Sequence, residues 1–205
     1  LDNGGKDMLK RKNYKFWFAT GSQDLYGDDA LHAVAEHAKI IVEGLNKSGI
    51  LPFEVVLKPT LIDNVSIRRT FNEANADEEC AGVITWMHTF SPAKSWILGL
   101  QEYRKPLLHL HTQFNREIPY STIDMDFMNL NQSAHGDREF GHIVSRMGIE
   151  RKIVVGHWED KVVQERIASW MRTAIGVIES SHIRVLRFGD NMRNVAVTEG
   201  DKVEA

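Results

Sequence analysis

Apolar residues recur along this chain with two different spacings. Leu31, Val34, Ala35, Ala38, Ile41, Val42 and Leu45 follow one another at steps of three and four, the signature of one helix face, and Gly49 stands where such a helix stops. Val162 through Ile178 repeats the pattern with Ile167, Trp170, Met171 and Ala174, and Ile67, Phe71 and Ala74 mark a weaker helix between the two. Short apolar runs separate these segments and predict strands at 14–20, 53–57, 80–87, 107–111 and 153–155. The run from Cys80 to Met87 lacks alternation, as expected for a strand covered on both faces of a parallel sheet. Ser91 and Pro92 predict a further helix, with serine capping the first turn and proline at the first helical position, where its missing N–H is no loss. Residues 182–188 and 195–197 read as later strands, and Thr198 to Asp201 as a weak capping box. Alternating strands and helices predict an α/β fold: a doubly wound parallel sheet of the Rossmann or flavodoxin-like kind, followed by the start of a second α/β domain.

Composition narrows the function. A formal net charge of -3 with both signs interspersed offers no basic surface to neutralise phosphates, which argues against a nucleic-acid partner. The longest apolar runs fall well short of the roughly 20 residues that cross a bilayer, so no membrane role and a cytoplasmic location are expected. The single Cys80 lies in an apolar run and reads as a buried thiol in a reducing compartment. Residues 1–7 have no periodicity and precede Met8, so they read as a non-native or disordered leader. The first domain is expected over 8–181, with 182–205 opening a second. A helix begun near Thr198 and broken at Ala205 would bury no stripe, which predicts a longer natural chain.

The loop 21–27 (GSQDLYG) follows the first strand, where α/β proteins often bind ligands. It has neither dinucleotide nor P-loop spacing, so it reads as a turn whose Gln23 and Asp24 could also meet a polyol. His109 and His111 share one strand face and could chelate a metal, although imidazoles between leucines are more often satisfied within the core. Asp124 and Asp126 suit either acid–base work or loop capping. Residues 124–140 pack amides, acids and a histidine among large apolar groups, a composition suited to a subunit interface or a ligand-facing wall. The strand-end cluster 86–91 has the same character.

Six segments in series carry a family resemblance: FWFATGSQDLYG at 16–27, WMHTFSPAK at 86–94, HLHTQFN at 109–115, IDMDFMN at 123–129, NQSAHGDRE at 131–139 and RFGDNMR at 187–193. From about Tyr14 to Ala205 the chain resembles the N-terminal part of the L-arabinose isomerases. The resemblance implies an aldose–ketose isomerase acting on L-arabinose, and on D-galactose as a second substrate, through a metal-assisted ene-diol route. It implies a manganese ion (Mn2+) whose two glutamates and two histidines match no position here, so the fragment alone is expected to be inactive and to hold no metal. It implies a homo-oligomer, trimer or hexamer, in which Gln23, Leu25 and Met192 line the subunit's own sugar pocket while Phe90, Gln132 and His135 reach into a neighbour's. Asp24 stands where relatives often carry histidine, which leaves its role open. The rival expectation is a non-catalytic, flavodoxin-like sugar-binding or assembly module; a reading frame continuing past Ala205 with many His and Glu residues favours the isomerase.

Overall fold

A computed structural model describes residues 12–186, 188 and 189 of the chain, apart from the side chain of Tyr26. The described residues form a five-stranded, all-parallel sheet in the order β2-β1-β3-β4-β5. Its strands are β1 (Lys15–Gly21), β2 (Glu54–Leu57), β3 (Cys80–Met87), β4 (Leu107–His111) and β5 (Lys152–Val155). The helices are α1 (Gly27–Lys47), α2 (Asn64–Ala76), α3 (Ile97–Glu102), α4 (Met125–Leu130), α5 (Ser133–Arg146) and α6 (Lys161–Ser180). This is the doubly wound α/β architecture that the alternation predicts. None of the described helices is long and apolar enough to cross a membrane.

Two cores sandwich the sheet because successive side chains of a strand point to opposite faces. Phe16 and Phe18 of β1 join Ile41 and Leu45 of α1 and Ile167, Trp170 and Met171 of α6 on one side. Trp17 and Ala19 join Ile67 and Phe71 of α2, Trp96, and Phe140 and Val144 of α5 on the other. All eight residues of β3, which lies centrally between β1 and β4, are buried. Cys80 is among them, and burial pushes its thiol up to about 11, where it is inert at neutral pH.

Two local expectations are corrected. Ser91 does not cap a helix: its φ is 49°, Pro92 precedes a 3-10 turn (Ala93–Trp96) and no side chain caps that turn. Residues 183–186 form no strand and His182 lies in a turn. Helix α5 has no counterpart among the elements the spacing predicts, because its first two turns are filled with Ser133, His135, Gly136 and Asp137, and only Phe140 and Val144 carry the apolar period. The expected elements at 195–201, Met192 and the leader 1–7 lie outside the described residues.

Candidate functional site

The strand order reverses direction between β1 and β3, the switch point at which open α/β sheets bind ligands beyond the carboxyl ends of their strands. The chain leaves β1 through Ser22 and Gln23 and leaves β3 through His88 to Ser91, and these two exits are tied together. His88 N–H donates to the Gly21 carbonyl (3.2 Å), and the Ser22 and Thr89 hydroxyls meet at 3.1 Å. The Gln23 Nε2 donates to the Ser91 carbonyl, which fixes the amide and leaves Oε1 as the free acceptor. Ser91 is held in left-handed backbone conformation, unusual for a residue with a Cβ, and a strained residue beside a ligand-binding strand end is a feature of functional sites.

Helix α5 closes on the same exits. Gln132 stands at its N-cap, donates its N–H to the His88 carbonyl (3.0 Å) and receives the N–H groups of His135 and Gly136, both at 3.0 Å. Gln132 and His135 are thus linked through the cap. Gly136 makes the approach possible, since a Cβ there would lie 2.6 Å from the Thr89 carbonyl and 3.0 Å from the Met87 Cβ. His135 stacks on Phe90 with centroids 4.2 Å apart and planes 23° from parallel, and its Nε2 meets the Ser91 Oγ at 3.1 Å. Leu25 sits nearby in sequence on a 3-10 turn (Asp24–Tyr26), 75% exposed. Gln23, Phe90, Gln132 and His135, which the resemblance divides between two subunits' pockets, therefore form one patch within a single chain.

Beneath the patch lie two polar pairs, buried or half-buried, whose pairing the sequence did not indicate. His88, fully buried, meets the Nδ1 of His37 through its Nε2 at 2.8 Å and stacks on Trp86. Burial, reinforced by His37, pulls the His88 imidazole down to about 3, so it is neutral. On the other face of the sheet, Asp137 of α5 accepts from Met87 N–H (3.1 Å) and contacts the His109 Nε2 at 2.8 Å. Burial pushes the Asp137 carboxyl well above the ordinary carboxylate range and pulls His109 down to about 3, so the pair enters the core uncharged.

His109 is thereby engaged by Asp137, and His111 Nε2 stands 4.0 Å from the other carboxyl oxygen, with the two rings nearly parallel. The described residues do not fit a divalent metal: among them no group of three or more His, Cys, Asp or Glu side chains is arranged to coordinate one, and the His109 Nε2 is engaged by Asp137. Asp124 caps α4, its carboxylate accepting from Phe127 N–H at 2.8 Å, while Asp126 is exposed in that helix's first turn. A cleft of about 600 Å³ opens beside the patch, between the ends of β4 and β5 and helix α4, and Gln132 and His135 line its near wall.

The family model of the L-arabinose isomerase N-terminal domain matches residues 10–182, and that of the central domain matches 184–205. The chain belongs to the L-arabinose isomerase family. It is 65% identical over 198 residues to an L-arabinose isomerase of Geobacillus thermodenitrificans, 63% identical to one of Halalkalibacterium halodurans and 64% identical to one of Clostridium beijerinckii. Each comparison covers 97% of this chain and 40% of the relative, so the chain spans well under half the length of those proteins.

Proposed function

We propose that the protein to which this chain contributes interconverts L-arabinose and L-ribulose, with D-galactose to D-tagatose as a second conversion, and that this chain supplies a wall of the sugar pocket. The Phe90–His135 stack beside Gln23 supports the second part of that reading. An aromatic face covers the carbon side of a sugar, and adjoining imidazole and amide groups satisfy its hydroxyls. Phe90 is 38% exposed, enough to meet a ligand, and Gln23 keeps an unpaired acceptor. A divalent cation such as manganese would polarise the sugar's carbonyl and hydroxyl oxygens, and its ligands are to be sought outside this chain. The roles left to these residues are binding, orienting and shielding the sugar from water.

We further propose that the patch works against a second copy in a homo-oligomer. Met125 (65% exposed), Met128 (44%) and Tyr120 (83%) stand on and before α4, and apolar side chains of this kind are enriched where subunits meet. The test is ketose formation from L-arabinose by the protein read through beyond Ala205, purified with manganese. Ketose from that protein and none from the 205-residue chain is the expected result; no ketose from the longer protein overturns the reading. Mixing His135→Ala subunits with subunits disabled at a metal ligand tests the sharing of a pocket: recovered activity after verified exchange supports it, and no recovery returns His135 to its own subunit.

A further inference from the structure

Half-buried Ser91 holds two different residues of the patch. Its carbonyl accepts from the Gln23 Nε2, and its Oγ meets the His135 Nε2 at 3.1 Å. The residue before it, Phe90, covers the face of the same imidazole at 4.2 Å between centroids. Two consecutive residues at the β3 exit thus take the His135 ring by its face and by its edge. With Nε2 engaged by Ser91, Nδ1 is the ring nitrogen left for a ligand.

That arrangement strains the backbone. A φ of 49° lies in the left-handed region, which disfavours any residue with a Cβ, and the ring of Pro92 restricts the residue before it to extended backbone. The flanking chain enforces the reversal. Thr89 and Ala93 are fully buried, and the Thr89 hydroxyl is tied to that of Ser22. Gly136 packs closely against both the Thr89 carbonyl and the Pro92 Cδ, which also brings its neighbour His135 to Ser91. Phe90 and Ser91 therefore cross between fixed anchors, the condition under which a strained residue persists. Glycine would make the same crossing with less strain and would keep the carbonyl that Gln23 uses. What serine adds is the hydroxyl, and the hydroxyl meets His135.

We propose that Ser91 is a positioning residue of the sugar pocket: its hydroxyl holds the edge of the His135 imidazole against the Phe90 ring and so presents Nδ1 to the sugar. The backbone strain at Ser91 is retained for that contact. The proposal rests on the isomerase reading for what His135 meets, whereas the grip of Ser91 on the ring is tested apart from it.

Two variants separate the hydroxyl from the strain. Ser91→Ala removes the hydroxyl and keeps the Cβ; Ser91→Gly removes both. In urea melts of the 205-residue chain, the midpoint of Ser91→Gly is expected to exceed that of Ser91→Ala by roughly 0.3–1 M, the effect of relieving a left-handed Cβ. In NMR spectra of the same chain, the His135 ring protons are expected upfield, shifted by the Phe90 face, and to move toward free-histidine positions equally in both variants. In the longer protein both variants are expected to lower kcat/KM for L-arabinose to the same extent, about fivefold or more, although one is the more stable. A loss of kcat/KM that follows stability, or no loss at all, makes Ser91 structural and overturns the proposal. Unchanged His135 signals in both variants overturn it whatever the ketose assay gives. Absence of ketose from the unmutated longer protein overturns the isomerase reading, and the ring signals then support or overturn the grip by themselves.

Discussion

Phe90 and His135 stack at 4.2 Å although one leaves the end of β3 and the other opens α5, 45 residues apart in sequence. Both rings remain partly or largely open to solvent, so the contact contributes little to the fold. Truncating Phe90 to alanine is therefore expected to lower stability by about 1 kcal/mol or less. On the isomerase reading proposed above, the same change in the longer protein should lower kcat/KM for L-arabinose by about tenfold or more. A urea melt and a ketose assay together check it: a large loss of stability with unchanged kcat/KM would make the stack structural.

Gly136 and Gly176 provide a matched pair of opposite sign. In an open helix position, glycine to alanine stabilises by about 1 kcal/mol, and Gly176 of α6 has nothing within 4 Å of where a Cβ would sit. Gly176→Ala should raise the urea midpoint. Gly136→Ala should lower stability by about 1–3 kcal/mol despite the same gain in propensity, because its Cβ would meet the Thr89 carbonyl at 2.6 Å. Equal shifts in the same direction would show that α5 does not press on the β3 exit.

Asp137 is expected to tolerate asparagine and not alanine. Burial holds its carboxyl uncharged, so the amide of Asp137→Asn keeps an acceptor for Met87 N–H and a polar partner for His109, and the change should cost under about 1 kcal/mol. Asp137→Ala leaves both partners buried and unpaired, at a cost of about 3 kcal/mol. A loss with asparagine as large as with alanine, read from urea melts of the two variants, would mean that the pair is an ion pair.

Acid should unfold the chain in part through His88. Its folded value of about 3 lies below the 6.5 of a free imidazole, so between these values the unfolded state binds the extra proton. The stability contribution is whole above about pH 6.5 and is lost as pH falls toward 3, at about 1.4 kcal/mol per pH unit once the unfolded histidine is fully charged. His88→Gln should reduce the slope of stability against pH between about 5.5 and 4.5 by that amount. An unchanged slope in urea melts across that range would show that His88 is protonated in the folded state.

Sequence alone determined the elements whose signal is local. The three- and four-residue spacing of Leu31 to Leu45 and of Ile167 to Ala174 marked α1 and α6, and the unbroken run from Cys80 to Met87 marked the buried central strand, because burial on a helix face or on both sides of a sheet imposes those patterns wherever the chain goes next. The capping reading of Asp124 was legible for the same reason, its partner being three residues away. Tertiary structure alone decided that β1 and β3 are neighbours at a switch point, that Ser91 bends into left-handed backbone to meet Gln23 and His135, and that His109 is engaged by Asp137. Each of these joins residues from 28 to 68 positions apart, and no periodicity in the intervening chain encodes such a pairing. Gln113, two residues beyond β4, likewise meets its partner, the Asn131 carbonyl just past α4, only through the fold.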